Sequence, residues 1–208
     1  MKYSKAMQIL VDEHDVILAV LDAVEKIATR GGDGRDFPQA FFEKAFDFLP
    51  MFADKCHHAK EEDMLFPALE ARGVPKDGGP IGCMLREHEE GRDHVRAARK
   101  ALERSATGDA EAAATVYREA LAFVALLRQH IRKENEILFV FGDAQLTTED
   151  QERLARQFEC TAHGPLPPGT HEKYVALARE LCETAGVPTY RPYAQRHDGP
   201  VCCAHHEH

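Results

Sequence analysis

The sequence predicts an all-α protein, in which an antiparallel up-down four-helix bundle is followed by two shorter C-terminal helices and an irregular tail. Apolar residues recur at the three- and four-residue spacing of an amphipathic helix through four long segments. The alternation of apolar and polar residues that is typical of strands is weak throughout the chain. Short connections between the four segments favour antiparallel neighbours.

The four long helices are each bounded by residues that start or stop a helix. They are expected over residues 4–30, 37–72, 82–105 and 109–141. Three glycines after the first segment end it, and Asp109 is a suitable N-cap for the fourth. Pro50 lies inside the second segment, where a proline removes a backbone hydrogen bond, so we expect a kink or a break there.

A change of pattern after Gly142 divides the chain into two parts. Residues 1–144 form the predicted bundle domain, and residues 145–208 form a C-terminal extension with helices over 148–163 and 170–185. The extension ends in a Cys/His-rich tail, and such tracts can bind metal, here together with Cys160 and His163. The alternative is a mobile tail with adventitious metal affinity.

The composition argues against several classes of function. The net charge of −9 disfavours binding to nucleic acid and gives no attraction to an anionic membrane. The longest apolar run, from Ala120 to Leu127, is far shorter than the roughly 20 residues of a membrane span. The N-terminal apolar stretch meets Asp12 and Glu13 too early for a signal peptide. We therefore predict a cytoplasmic protein whose six cysteines are reduced thiols.

An internal duplication carries the strongest functional signal. His57 is followed by Glu61, and His130 by Glu134, in two segments that both continue to Leu-Phe. Residues four apart lie on one face of a helix, so each pair can direct an imidazole and a carboxylate at one point. A single such pair is usually an exposed hydrogen-bonded pair, whereas two copies in a repeated frame favour metal binding.

The first and third helices complete the repeat, because His14 and His88 each lie between acidic neighbours. Counted from the turns, all four histidines fall at one height, about 30 Å from the turn end at a rise of about 1.5 Å per residue. Buried imidazoles and carboxylates without partners carry a large desolvation cost, which two metal ions bridged by the two glutamates would remove. This donor set suits iron, manganese or zinc. The predicted metal ligands are His14, His57, Glu61, His88, His130 and Glu134.

Some neighbouring residues have two interpretations. His58 points about 100° away from His57 and is either an additional ligand or, as we favour, a residue that supports the ligands. Glu62, the other candidate for an additional ligand, and Glu89 either line the site or, as favoured, are surface charges. Cys56 is either redox-active or a buried inert thiol, which is the commoner case.

These segments resemble the hemerythrin-like, HHE cation-binding family over roughly residues 6–141. The resemblance implies a four-helix bundle that holds two iron ions, as Fe2+ or Fe3+, bridged by an oxygen species. It also implies a small diatomic or peroxide ligand, namely dioxygen, peroxide or nitric oxide. Oxygen-carrying members place two histidines four residues apart on the third helix, but Met84 and Arg92 flank His88 at that spacing here. They also place an aspartate where this chain has Asn135, so the resemblance favours reactivity over reversible oxygen carriage.

The predicted function is that of a non-haem di-iron protein that binds or reacts with these small oxidants, in oxidative or nitrosative stress or in sensing. One alternative is an iron storage or donation protein, for example in iron–sulfur repair, without turnover of its own. A third hypothesis is a structural bundle with an incidental metal such as zinc. The sequence leaves open whether the protein is an enzyme and what its oligomeric state is.

Overall fold

A computed structural model describes residues 3–31, 37–161, 167 and 169–189, and the regular structure within these ranges is entirely helical. The prediction of an all-α protein is therefore confirmed over the described residues. We number the helices α1 to α6 in chain order. Helix α1 is Lys5–Thr29, α3 is Pro80–Ser105, α5 is Thr148–Thr161 and α6 is Thr170–Ala185.

Helices α2 and α4 change type along their length. Helix α2 is α-helical over Gln39–Phe48, π-helical over Leu49–His58 and Glu61–Leu65, and α-helical again over Phe66–Ala71. Helix α4 is α-helical over Ala110–Lys133, π-helical over Glu134–Leu138 and α-helical over Phe139–Gln145. Single π turns inside α-helices are rare and occur frequently at functional sites.

The chain is helical on both sides of Pro50, where we expected a kink or a break. The disturbance takes the form of a change from α- to π-helical pairing that begins at Leu49. The helix is continuous from Gln39, so Pro50 lacks an N–H that would otherwise pair with a carbonyl of the preceding turn, and the chain continues past this loss as a π-helical stretch. At the other predicted boundary, the side chain of Asp109 accepts a hydrogen bond from the backbone N–H of Ala112 at 3.0 Å, as an N-cap does.

Two apolar clusters flank the predicted ligands along the long helices. The larger contains residues such as Ile17, Leu21, Phe42 and Phe52, and the smaller contains Leu10, Leu65, Phe66 and Phe139. The predicted ligands thus lie between two buried apolar regions.

The C-terminal helices also contribute to these clusters. Leu154 and Phe158 of α5 belong to the smaller cluster, whereas Val175 and Leu181 of α6 belong to the larger one. Both helices pack against α1. The division of the chain at residue 144 stays a prediction.

Two other predictions, a second metal site and a cytoplasmic location, are not tested by the structure. The proposed second metal site, formed by Cys160, His163 and the tail, lies outside the residues whose side chains the structure describes. None of the described helices is both long enough and apolar enough to cross a membrane. The cytoplasmic location stays a prediction.

Candidate metal centre

Seven buried polar side chains from α1, α2, α3 and α4 converge between the two apolar clusters. They are the six residues predicted as ligands, together with His58. The structure therefore brings together all four helices of the predicted repeat. The members are His14, His57, His58, Glu61, His88, His130 and Glu134.

The first group of potential ligands lies on the side of α1. His14, His57, Glu61 and Glu134 each offer an atom within 4.8 Å of the others. The Nε2 atom of His14 is 3.2 Å from Oε2 of Glu134, and Nε2 of His57 is 3.6 Å from Oε1 of Glu61. This group can enclose one cation between two imidazoles and two carboxylates.

The second group lies on the side of α3. His58, Glu61, His88 and His130 also offer atoms within 4.8 Å of one another. The Nε2 atoms of His88 and His130 are 3.1 Å apart, and the ring of His58 stacks on that of His88 with centroids separated by 3.8 Å. This group can enclose a second cation between three imidazoles and a carboxylate.

Both glutamates reach the two groups. Oε1 of Glu61 faces His57 in the first group, and Oε2 lies 3.5 Å from Nε2 of His88 in the second. Oε2 of Glu134 is 3.2 Å from Nε2 of both His14 and His130. This placement is what a carboxylate bridging two neighbouring cations requires.

Seven buried nitrogen and oxygen atoms at this place have no hydrogen-bond partner among the described residues. Buried polar atoms are nearly always bonded, since an unpartnered one carries a desolvation cost. Six of these seven atoms belong to residues of the first group and the seventh, Nδ1 of His58, faces Asp54; all are imidazole nitrogens or carboxylate oxygens, so the residues present fit a pair of transition-metal ions. They are Nε2 of His14 and His57, Nδ1 of His58, and both carboxylate oxygens of Glu61 and Glu134.

Four of the five imidazoles are held from behind through Nδ1, which leaves Nε2 directed at the centre. Each partner presents an oxygen acceptor, so Nδ1 is the donor in these rings. A metal-ligating histidine is typically oriented in this way. The acceptors are Asn135 for His14 at 2.8 Å, Glu13 for His57 at 3.0 Å, Glu62 for His88 at 2.7 Å and Glu87 for His130 at 2.9 Å.

Sequence reasoning did not identify Glu13, Glu87 and Asn135 as partners of the histidines. The signal was present in the repeat, because Glu13 and Glu87 directly precede His14 and His88. Asn135 directly follows Glu134, as Glu62 follows Glu61. The acceptors are thus themselves duplicated with the motif.

Whether His58 and Glu62 are additional ligands stays a prediction, but the structure shows where their side chains lie. His58 has its ring in the second group, and its Nδ1 is 3.6 Å from Oδ1 of Asp54, too far for a hydrogen bond. Glu62 accepts from Nδ1 of His88 and also pairs with Arg92, so it supports a predicted ligand. Glu89 is a surface charge, as expected, with its side chain 63% exposed and paired with Arg92.

Arg92 faces away from the centre. Its guanidinium group donates to Asp54 and Glu62 at 2.7 Å and to Glu89 at 2.6 Å. Arg92, four residues after His88, therefore holds the acidic side chains behind the second group in place and gives that group no ligand. Met84, on the other side of His88, is buried in the smaller apolar cluster.

The electrostatics of the centre are those of a site that lacks enough positive charge of its own. Burial and the neighbouring Glu134 raise the pKa of Glu61 well above its usual value. Burial acts in the same direction on Glu134, but His130 outweighs it and the pKa of Glu134 falls well below the usual value. Burial lowers the pKa of His57 to about 4, whereas Glu134 and Glu87 overcome burial and raise that of His130 to about 9. Cations placed between these groups would supply the missing charge.

The sequence profile of one protein family matches most of the chain. The hemerythrin HHE cation binding domain matches residues 5–141, which include every residue of the centre and its four Nδ1 acceptors. Helices α5 and α6 lie beyond the matched residues. No curated protein and no solved structure matches the chain.

Proposed function

The chain belongs to the hemerythrin HHE cation binding domain family, and on that premise we propose that its buried centre holds two iron ions. We further propose that the protein binds or reacts with dioxygen, peroxide or nitric oxide. One observation carries this proposal: buried imidazole and carboxylate side chains, seven of whose donor atoms have no hydrogen-bond partner among the described residues, form two groups that share Glu61. Bound iron would supply a redox-active Lewis acid to which a small ligand can coordinate.

Five imidazoles are available to the two ions in this proposal. His14 and His57 would hold one ion, and the other would be held by the three histidines of the second group. The fifth imidazole comes from His58 on α2, in contrast to the third-helix position of the oxygen carriers. The buried ring of His58, which offers a nitrogen within 4.8 Å of donor atoms of Glu61, His88 and His130, supports this assignment.

We also propose the antiparallel up-down arrangement of the four long helices. Paired residues support it, because the residue number on one helix falls as that on its neighbour rises. For α3 and α4 the pairs are Glu87 with Lys133 and His94 with Glu119. For α1 and α4 they are Tyr3 with Asn135 and Glu25 with Arg128.

The protein's own groups would restrict the centre to small ligands. The ring of Phe139 stacks on His14 at 5.5 Å, and that of Phe66 lies 6.0 Å from that of His88. Both phenylalanines are buried, so a ligand must pass between packed side chains to reach the donors. A diatomic molecule or a peroxide fits that requirement better than a larger substrate does.

The experiment is to purify the protein from iron-replete cells, count its metal ions and record its optical spectrum. We expect about two iron ions per chain and near-ultraviolet bands from an oxygen-bridged ferric pair, because the ligand motif is doubled. Turnover of peroxide or nitric oxide would then separate a reactive protein from one that stores or donates iron. A tightly held single ion, or zinc without redox cycling, would overturn the proposal.

A further inference from the structure

A lysine stands three residues after the histidine in both copies of the duplicated motif, at Lys60 and Lys133. Lys60 Nζ donates to Oε1 of Glu13 at 2.7 Å, and Oε2 of the same carboxylate accepts from Nδ1 of His57 at 3.0 Å. We call Lys60, Glu13 and His57 the buried triad. One carboxylate thus connects a lysine to the back of a proposed ligand.

The second copy repeats this arrangement with different exposure. Lys133 Nζ donates to Oε1 of Glu87, whose Oε2 accepts from Nδ1 of His130 at 2.9 Å. We call Lys133, Glu87 and His130 the solvent-facing triad. The Lys133 side chain is 38% exposed and that of Glu87 is 16% exposed, against 0% for Lys60 and 7% for Glu13.

The interior fully satisfies Lys60. Beyond the bond to Glu13, its Nζ donates to the carbonyl oxygen of Cys56 at 2.8 Å and lies 3.2 Å from that residue's Sγ. Burial, followed by the charge of Glu13, raises the pKa of Cys56 to about 11, which keeps the thiol protonated and supports the interpretation of an inert cysteine. The ammonium group therefore depends on Glu13 for its counter-charge.

The same lysine–carboxylate contact has unequal strength in the two triads. Two opposite charges at the same distance attract each other several-fold more strongly at the low effective dielectric constant within a protein than in water. Solvent screens Lys133 and can also solvate Glu87 if the lysine is removed. The carboxyl pKa is lowered to about 2 in both triads, at Glu13 against strong burial by Lys60 and His57, and at Glu87 by His130 and Lys133, so the difference between the triads lies in the exposure of the lysines.

We propose that Lys60 is a positioning residue for the first group of the metal centre and acts on His57 through Glu13. Lys133 has little such effect on the second group, and the two metal positions are therefore unequal. The inference rests on the proposed function only in requiring that the centre hold metal ions. A buried ion pair is rarely needed for stability, since apolar replacements of similar volume are often neutral. Its place behind His57 gives it a role in orienting that ligand.

Removing one member of the buried triad should alter the ligand itself. Without Lys60, the Glu13 carboxylate loses its donor at 2.7 Å and keeps Nδ1 of His57 and, at 3.8 Å, Nε2 of His171. The carboxylate is then less firmly fixed behind His57, and the ring of His57 loses part of its orientation. Without Lys133, the partly exposed carboxylate of Glu87 can be solvated by water and keep its bond to His130.

The test compares Lys60→Met with Lys133→Met by titrating chelator-treated protein with Co2+, which is read by its visible absorption bands. We expect Lys60→Met to weaken one of two binding steps by about 10- to 100-fold, the usual effect of losing a partner behind a metal ligand. It should also shift or abolish the paramagnetically shifted Nδ1–H resonance of one imidazole. Lys133→Met should change either step by less than about threefold. Equal effects in the two variants, or an unchanged Lys60→Met, would overturn the inference.

A second pair of variants covers the case in which Lys60→Met does not fold. The double variant Lys60→Met with Glu13→Gln removes both charges and keeps an oxygen acceptor for His57, so its circular dichroism and melting should stay close to those of the parent. We expect its Co2+ affinity in one binding step to fall about 10-fold, which is a larger loss than we expect in the double variant Lys133→Met with Glu87→Gln. Two parental binding steps in the folded double variant would refute the role of Lys60. If the parent protein itself binds no Co2+, the proposed function fails instead.

Discussion

The α1–α2 and α3–α4 hairpins carry the same ligand motif but surround it with different charges. Behind His14 lies the neutral amide of Asn135, whereas Glu62 occupies the equivalent place behind His88. The lysine of the first hairpin is sealed in the interior, and that of the second meets water. The two copies thus share the residues that face the centre, and behind these residues they differ in one acceptor, Asn135 against Glu62, and in the exposure of the lysine.

The hairpins also differ in the number of imidazoles that they contribute. His58 directly follows His57, and the equivalent residue after His130 is Ile131. Ile131 belongs to the larger apolar cluster, whereas His58 lies in the second ligand group. One side of the centre is therefore richer in nitrogen donors than the other.

Replacement of Glu61 by alanine should have the largest effect, because both ligand groups include this residue. We expect at least about 100-fold weaker binding at both positions, more than the loss of an outer partner causes. Metal content after desalting measures it. Glu136→Ala is the matched control, since that side chain is 57% exposed and paired with Arg132 on the same helix. Retention of both ions in Glu61→Ala would show that the two groups do not share a bridge.

Removal of the metal ions should loosen both hairpins. Each ion present at about 1,000 times its dissociation constant stabilises the fold by about 4 kcal/mol. For a chain of this size that corresponds to roughly 10 °C in melting temperature. Calorimetry of the loaded and chelated protein measures the total, and amide exchange shows which hairpin opens. Identical melting of the two forms would contradict the placement of the ligands.

The stability of the metal-free protein should fall as the medium becomes acidic. Burial lowers the pKa of His57 to about 4, below its ordinary value of 6.5, so the fold favours the neutral ring. This contribution is complete above pH 6.5 and is lost as the pH falls through 4. His130 behaves oppositely: its pKa is raised to about 9, so its contribution is present below pH 6.5 and disappears as the pH rises through 9. Glu61, whose pKa is raised by burial, acts in the opposite direction to His57, so urea denaturation of chelated protein is compared with that of a His57→Phe variant at several pH values. The same dependence from pH 7 to 4 in both proteins would contradict the first sign.

Replacement of His58 by isoleucine, the residue found in the other copy, should remove the difference in donor number. We expect one Co2+ binding step to weaken by about 10- to 100-fold while the other stays within a few-fold. His94→Gln is the control, because His94 pairs with Glu119 away from the centre. An unchanged titration would return His58 to the supporting role that the sequence favoured.

Replacement of Arg92 by glutamine should have the smallest effect. Arg92 is partly exposed and steadies Asp54 and Glu62 through ion pairs, which are typically worth about 1 kcal/mol or less. We expect a change of less than about tenfold in metal affinity. Arg92→His should leave the metal spectra unaltered, because this position faces the acids behind His88. New absorption bands in Arg92→His would show that the residue can reach the ions.

The convergence of the six predicted ligands could be foreseen because it depends on regular geometry. The four-residue spacing from His57 to Glu61 and from His130 to Glu134 places each pair on one helix face. Matching distances from the turns place the four helices at one height. Their assignment as metal ligands stays a prediction.

The places of His58, Glu13 and Arg92 could not be foreseen because they depend on contacts between helices. Whether His58 faces the centre depends on the local helix type, and no propensity in the sequence marks a π turn. Glu13 contacts His57 and Lys60 only when α1 and α2 are packed against each other. Arg92 had acidic candidates on its own helix, but Asp54 and Glu62 lie on α2.

The π-helical turns determine which changes in length the protein can tolerate. A π turn pairs each N–H with the carbonyl five residues back, so it accommodates one residue more than an α turn does. Deleting one residue within Leu49–His58 or Glu134–Leu138 can convert a π turn to an α turn, so the helical segments on either side keep their facing. Deleting one residue from the α-helical stretch Ala110–Lys133 would instead rotate all that follows, Glu134 included, by about 100° relative to what precedes it, and natural variants should therefore lack single-residue gaps there. The turns around Gly73 and Gly108 have left-handed backbones with open space beside them, and length variation should concentrate at those two places.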